Sequence, residues 1–146
     1  MSEQHLDLDN FLCFAIHSTA HAIQRANKPQ LEALGLTYPQ YLVMVVLWMQ
    51  DDQTVGSIGE RLFLESSTLT PLLKRLETTG YVRRVRDAAD ERQVRVRLTE
   101  AGRALREKAC HTPGWLKQAF GDDTEEAKAL RESVIRLRDR LMQGQR

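Results

Sequence analysis

The residues of this chain that are best suited to chemistry lie close together near its start. Cys13, His17 and His21 are spaced four residues apart in the stretch "NFLCFAIHSTAH", so a helix places them on one stripe. A free cysteine on an apolar helix is usually a small packed side chain, but it becomes a redox-active thiol where its thiolate is favoured and a reagent reaches it. Two histidines one turn apart suit a metal ion such as Zn²⁺, but the stripe lacks a fourth ligand and spans about 12 Å. We therefore expect no metal ion, and both interpretations of Cys13 stay open at this point.

The segment around this stripe has helical periodicity and two apolar faces. Residues 8–26 contain no glycine or proline, and their apolar side chains recur three and four residues apart, which places Cys13 about one turn inside a helix. Two apolar faces predict that the helix is covered both by its own domain and by a second domain or subunit. The triplet at 27–29, which ends in proline, predicts that this helix ends or bends. A short helix that stops at Gly35 and an apolar core helix from about Tyr38 follow.

Two short helices are predicted next, joined by a tight turn. The stretch "TVGSIGERLF" begins extended and continues as a helix capped by Ser57, because a serine hydroxyl can accept a free backbone N–H. The stretch "LESSTLTPLLKRLETTG" predicts a second helix capped by Ser66 or Ser67, with Pro71 in its first turn and Gly80 as its stop. This arrangement is typical of a helix-turn-helix.

The stretch "YVRRVRDAADERQVRVRLT" alternates arginine with apolar residues, which predicts a two-stranded hairpin, or wing, joined by "DAADER". Asp90 precedes Arg92 by two residues, so its carboxylate can brace the guanidinium. The residues expected to face inward are Val82, Val85, Val94, Val96 and Leu98.

Basic side chains cluster on this part of the chain although the formal net charge is only +1. Residues 74–97 hold eight basic and four acidic side chains, a balance that also fits a solvated hairpin edge kept from pairing. A basic wing next to a serine- and threonine-rich helix favours double-stranded DNA, with the helix in the major groove and the wing in the minor groove. The residues expected to contact DNA are Ser66, Ser67, Thr68, Thr70, Lys74, Arg75, Arg84, Arg86, Asp90 and Arg92.

The remaining sequence predicts further helices and a cytoplasmic location. The residues from Ala127 to Leu141 repeat apolar side chains in steps of three and four, which is typical of a short heptad seam that packs on the first helix or on a symmetry mate. The start "MSEQHLDLDN" lacks the features of a signal peptide, and no apolar run approaches the roughly 20 residues that span a bilayer. We expect a cytoplasmic protein with no membrane partner.

On these motifs the chain resembles the MarR family of winged helix-turn-helix transcriptional regulators, since "DERQVRVRLT" matches the family pattern D-x-R-x-x-x-V-x-L-T. Within it the chain is similar to the organic-hydroperoxide-sensing OhrR subgroup, on "LDNFLCFA", "LGLTYPQYLVMVVLW" and "LFLESSTLTPLLKRLETTG". The resemblance implies a mainly α fold with a small β-hairpin wing. It also implies one domain over residues 1–146, with the DNA-binding region at 32–100 and dimerisation helices at 6–30 and 101–146.

The resemblance further implies a homodimeric repressor, with no cofactor and no enzymatic activity, that binds an inverted-repeat operator. Oxidation of Cys13 by an organic hydroperoxide or another oxidant would release the DNA. In the subgroup, tyrosine hydroxyls of the partner subunit hold the sensing thiol; Tyr38 matches one of them, Asn27 stands at the other, and His17 occupies a further aromatic position. Cys110 is a candidate second thiol.

Three other functions stay open on the sequence. A MarR-type repressor could respond to a small aromatic ligand while Cys13 stays passive. A thiol peroxidase could use Cys13 with His17 as its base, and a winged helix could bind only protein.

Overall fold

The computed structural model describes residues 6–109 and 113–145, which are mainly α-helical with a small antiparallel sheet, as the sequence predicts. The described residues belong to two units, residues 6–109 and residues 113–145, and each is described by itself. The elements of the first unit are α1 (Leu12–Leu34), α2 (Tyr38–Met49), β1 (Gln53–Thr54), α3 (Val55–Leu62), α4 (Ser66–Thr79), β2 (Val82–Arg86), β3 (Val94–Leu98) and α5 (Glu100–Ala109). The second unit contains α6 (Gly114–Phe120) and α7 (Thr124–Gln143).

The first helix begins later and ends later than the sequence predicts. A 3-10 turn occupies Leu8–Asn10, and α1 starts only after the extended residue Phe11. Of the two outcomes predicted at Pro29, an end or a bend, the end is not observed: the helix continues through the proline and stops at Gly35, whose φ of 69° is left-handed. A proline inside a helix removes one backbone hydrogen bond. The burial of Leu31 and Leu34 in the turns beyond it favours the continued helix.

The core of the first unit is built around α2. Thr37 begins this helix with a reciprocal cap, in which its hydroxyl accepts the Gln40 N–H and the Gln40 side chain accepts the Thr37 N–H. Val43, Met44 and Leu47 are fully buried, so α2 is the core element that the sequence predicts. The side chains that surround them include Ile58, Leu69, Leu73, Leu76, Val82, Val96, Leu98 and Leu105.

The helix-turn-helix is present, but its caps differ from the prediction. The residue that caps α3 is Thr54, whose hydroxyl accepts the Ser57 N–H at 3.1 Å, and Ser57 is already helical. The fourth helix begins at Ser66 after Glu65, without a side-chain cap, so the predicted serine cap is wrong. Pro71 lies within α4 beyond its first turn, and its missing N–H therefore removes a helical bond.

The turn between α3 and α4 is tight enough to require glycine at position 59. A Cβ atom there would lie 2.6 Å from the Leu64 carbonyl oxygen, closer than side chains approach. Phe63, the residue that ends α3, has a left-handed φ of 58°. Glycine at position 59 therefore permits the close approach of the turn to α3.

The hairpin is present, and the segment predicted to be extended before α3 forms a third strand that joins it. The sheet order is β1-β3-β2, with both pairs antiparallel. Val82 pairs with Leu98 and Arg84 with Val96, so these residues lie on the core-facing side. Val85 lies on the other side, against the prediction, because it is three residues from Val82 and a strand places only even spacings on one face.

Glycine also allows α5 to approach the base of the wing. The Thr99 hydroxyl accepts the Gly102 N–H at 3.1 Å, and the Trp48 indole N–H donates to the Gly102 carbonyl at 2.9 Å. A Cβ atom at position 102 would overlap the Tyr81 carbonyl oxygen. The start of α5 is therefore fixed between α2 and β2.

In the second unit, α7 carries the predicted heptad seam. Asp123 caps this helix by accepting the Glu126 N–H at 3.0 Å. Leu130, Val134 and Leu141 are exposed at 53%, 45% and 58%. This helix thus has an apolar stripe that its own unit leaves uncovered.

Within the residues that the structure describes, no single helix is both long and apolar enough to cross a membrane. Only α1 and α2 taken together, at an angle of 67°, have the length and composition of a broken span.

Candidate nucleic-acid interface and thiol site

The polar start of α4 lies on the surface, opposite a buried apolar stripe. Leu69, Leu73 and Leu76 are fully buried, which fixes the rotation of the helix about its axis. The predicted DNA contacts on the other face are exposed, except Thr70, which is half-buried and donates its hydroxyl to the Ser66 carbonyl at 2.8 Å. The exposed members are Ser66, Ser67, Thr68, Lys74 and Arg75.

Arg84 differs from Arg92 in its exposure, because its side chain is only 28% exposed and pairs with a helix of the same chain. Glu77 of α4 accepts the Arg84 backbone N–H at 2.8 Å, and its carboxylate accepts the guanidinium at 3.1 Å. The backbone hydrogen bond from Arg84 is the main cause that lowers the pKa of Glu77. This pair fastens the first wing strand to α4, so the DNA contact of Arg84 stays a prediction.

The tip of the wing carries the brace that the sequence predicts. The Asp90 carboxylate accepts the Arg92 Nε at 3.1 Å and the Nη2 at 3.4 Å. The Arg92 side chain nevertheless stays 91% exposed, so its remaining N–H groups face solvent. Arg86 donates to the Glu91 carbonyl across the loop at 3.3 Å. Two arginines thus shape the tip, and Arg92 projects from it.

A second group of charges, which local sequence patterns do not predict, holds the wing from its other face. Arg95 of β3 donates to Asp52 in the turn before β1 and to Asp87 at the end of β2. These hydrogen bonds are the largest causes that lower the pKa of both aspartates and raise that of Arg95. Since Asp52 and Arg95 are 43 residues apart, only the strand register brings them together. The one local signal was the acidic pair "DD" directly before the extended segment.

The thiol lies at the surface, in the first turn of its helix. Cys13 is exposed and is the second residue of α1, so it is nearer the helix start than the sequence predicts. His17 is exposed on the same stripe, and Tyr38 is half-buried with its ring centroid 6.5 Å from that of Tyr41. Among residues 6–109 and 113–145, the Cys13 thiol forms no hydrogen bond with the side chain of Tyr38 or His17. The thiol is therefore open to solvent within one chain.

Asn27, another proposed neighbour of the thiol, is not brought to Cys13 within one chain. Asn27 lies on the same continuous helix fourteen residues further on, about 21 Å along the axis. Cys110 lies outside the described residues. Within the described part of the chain, no three or more His, Cys, Asp or Glu side chains are grouped so that they could hold a metal ion.

Comparison with known proteins gives consistent matches over most of the chain. The family model "Transcriptional regulator SarA/Rot" matches residues 25–109. The HTH-type transcriptional regulator TtmR of Methylorubrum extorquens is 49% identical over 134 residues, 92% of this chain and 69% of the relative. The organic hydroperoxide resistance transcriptional regulator of Bacillus subtilis is 40% identical over 139 residues, 95% of each chain.

A solved structure resembles this fold over almost its whole length. Reduced AbfR bound to DNA has a TM-score of 0.75 and 35% sequence identity to this chain, with 97% of this chain and 99% of that chain covered. A crystal structure of AbfR of Staphylococcus epidermidis is also similar to this chain. The helix-turn-helix and its hairpin define the class of winged-helix proteins. The chain belongs to the SarA/Rot family of MarR-type transcriptional regulators. It is a regulator rather than an enzyme, and the predicted resemblance to the OhrR subgroup is confirmed by the Bacillus relative.

Proposed function

We propose that this regulator is a homodimeric DNA-binding repressor that releases its operator when Cys13 is oxidised by an organic hydroperoxide. The observation that carries the proposal is the position of Cys13, exposed in the first turn of a helix whose apolar side chains are also exposed. The 40% identity to an organic hydroperoxide resistance regulator supports the choice of oxidant. The DNA-bound AbfR structure supports DNA as the partner.

The DNA contacts in this proposal come from α4 and from the wing tip. The start of α4 would enter the major groove with Ser67 and Thr68, which are exposed, towards base edges and phosphates. Arg92, held by Asp90 but largely exposed, would enter the adjacent minor groove. Two copies related by a two-fold axis would then read an inverted repeat with half-sites about one helical turn apart.

The dimer in this proposal covers apolar side chains that one chain leaves in solvent. Phe11, Leu12, Phe14 and Ile16 are exposed at 43%, 62%, 40% and 38%, and α7 has its own exposed apolar stripe. Contiguous exposed apolar surface favours association. The domain organisation predicted from the resemblance, with helices at 6–30 and 101–146 that join two copies, is part of this proposal.

The thiol chemistry needs one peroxide per subunit. The Cys13 sulfur attacks one peroxide oxygen of ROOH, the O–O bond breaks, and the alcohol ROH leaves as the sulfenic acid Cys–SOH forms. Asn27 is about 21 Å from Cys13 along the same helix, so it can reach the thiol only from a second copy. A larger polar group at a dimer contact changes how the two copies pack. A coupling of about 1–3 kcal/mol is sufficient to weaken DNA binding five- to 150-fold.

The test uses an operator duplex that the purified full-length protein selects from a random-sequence library. Release is followed by fluorescence anisotropy while cumene hydroperoxide, hydrogen peroxide or hypochlorite is added to wild type, Cys13→Ser and Cys110→Ser. We expect cumene hydroperoxide to release the wild type at about one equivalent per subunit, and Cys13→Ser to stay bound. Cys110→Ser is the matched control, since it removes the other thiol of the chain.

Two outcomes contradict the proposal. Complete release of Cys13→Ser by the peroxide would place the sensor elsewhere. Release by a phenolic compound but by none of the oxidants would identify a ligand-responsive regulator.

A further inference from the structure

We propose that Arg95 is a positioning residue for DNA binding, which holds the wing tip against the turn before β1 without contacting DNA itself. The inference rests on the proposed DNA-binding function and names a residue outside the predicted contact set. It is carried by three hydrogen bonds that join distant parts of the chain.

The guanidinium of Arg95 is occupied within the protein. Its Nε donates to Asp52 Oδ1 at 2.8 Å, one Nη to the Asp52 carbonyl at 2.7 Å, and the other Nη to Asp87 Oδ2 at 3.0 Å. The side chain is 29% exposed, whereas that of Arg92 is 91% exposed. An arginine in this arrangement would have to give up bonds to carboxylates before it reached a phosphate.

At one end the contacts fix the loop that carries the wing tip. The other oxygen of Asp87 accepts the backbone N–H groups of Ala89 and Asp90 at 2.7 and 3.2 Å. Asp90 in turn braces the guanidinium of Arg92. A continuous chain of hydrogen bonds therefore runs from Arg95 through Asp87 to the side chain proposed for the minor groove.

At the other end the contacts reach the turn between α2 and β1. Asp52 has a left-handed φ of 56°, which is uncommon for a residue with a side chain, and Arg95 binds both its carboxylate and its carbonyl. Since α2 is the core helix and β1 leads directly into α3, this turn moves with the helix-turn-helix. Arg95 therefore sets the wing tip relative to the helix that would enter the major groove.

A neighbouring arginine offers a matched control. Arg97 lies two residues further along β3 on the same face, is 52% exposed, and donates once to Asp52 at 3.1 Å. It carries the same charge but does not reach Asp87. If the loss of one positive charge weakens DNA binding, substitution of either arginine has that effect. If the position of the wing tip matters, only substitution of Arg95 has it.

The first measurement needs no DNA. Amide hydrogen exchange is compared across residues 87–93 in wild type, Arg95→Met and Arg97→Met, after urea unfolding has established that each variant is folded. We expect faster exchange of the loop amides in Arg95→Met only. Unchanged exchange in Arg95→Met would overturn the proposed role of Arg95 in holding the wing tip, and this result does not depend on DNA binding.

The second measurement is the dissociation constant for the selected duplex at several salt concentrations. Arg95→Met is expected to weaken binding about tenfold with an unchanged salt slope, because no phosphate contact is lost. Arg92→Met is expected to lower the slope by about one, and Arg97→Met to weaken binding less than Arg95→Met. A slope reduced by about one in Arg95→Met, or equal losses in the Arg95 and Arg97 variants, would make Arg95 an ordinary charge contact.

Asp87→Asn gives a test of opposite sign. Asparagine can still accept the Ala89 N–H but removes the ion pair and one negative charge. If only net charge matters, this variant binds DNA more tightly; if the tip is positioned through Asp87, it binds more weakly, and adding Arg95→Met weakens binding little further. Tighter binding by Asp87→Asn would overturn the inference. Wild type that binds no duplex in a salt-dependent manner would overturn the DNA-binding function and this inference with it, a result distinct from that of the exchange measurement.

Discussion

The wing and the first helix differ in how many of their side chains find partners within one chain. In the wing, Arg84, Arg92 and Arg95 are each paired with a carboxylate of the same chain. In α1, apolar side chains and the Cys13 thiol lie in solvent, and burial begins only at its far end with Leu31 and Leu34. The difference indicates that a single chain shapes its candidate DNA surface but leaves the surroundings of the Cys13 thiol open. In the proposed homodimer, a second copy would cover them.

The largest expected effect tests whether the core of one chain stabilises the winged region. Leu73→Ala removes a fully buried side chain of α4 and leaves a cavity, so we expect the free energy of unfolding to fall by about 2–5 kcal/mol. The measurement is urea unfolding at fixed protein concentration. Leu72→Ala, at a half-buried position next to it, serves as the control and is expected to cost less. A loss below about 1 kcal/mol for Leu73→Ala would mean that α4 is not held by this core.

A smaller effect tests whether a second copy covers the exposed apolar side chains of α1. Leu12 and Met49 are almost equally exposed, at 62% and 65%, but only Leu12 belongs to the helix proposed for the dimer. Leu12→Ser is expected to raise the dimer dissociation constant about ten- to hundredfold, since a buried leucine contributes about 1.5–3 kcal/mol. Met49→Ser is expected to leave it within about twofold. Sedimentation velocity at several concentrations measures both, and equal behaviour of the two variants would refute the assignment.

The smallest effect concerns the charges of the wing. Hydrogen bonds from Arg95 hold the pKa of Asp52 and of Asp87 below their ordinary value of 3.8 in the folded chain. The unfolded chain then binds more protons near that pH, so the stability from these bonds is present above about pH 4 and is lost as the pH falls further. Unfolding free energies at about pH 7 and pH 3.5 should therefore differ more for wild type than for Asp87→Asn. An identical pH dependence in wild type and Asp87→Asn would show that the Arg95–Asp87 ion pair does not contribute to the stability.

The sequence predicts the helix-turn-helix, the hairpin and the stops at Gly35 and Gly80, because local features specify them: apolar periodicity, alternation and glycine after a helix. It leaves an end or a bend open at Pro29, and the burial of Leu31 beyond the proline favours a continued helix. It fails for Arg95, because a pairing over 43 residues depends on strand register.

The candidate sites also differ in how far local sequence patterns predict them. The Asp90–Arg92 brace could be predicted, since the two residues are neighbours in one loop. The neighbours proposed for Cys13 come only from the resemblance and stay a prediction, because Asn27 lies too far along the same helix to reach the thiol within one chain. Local patterns in a sequence do not specify contacts with a second copy of the chain.

The contact at Gly102 has a mechanical consequence. The Tyr81 carbonyl occupies the space of a missing side chain, and the Trp48 indole binds the Gly102 carbonyl. The start of α5 is therefore packed directly against the residue that precedes β2. Any larger residue at position 102 would push α5 away from the base of the wing.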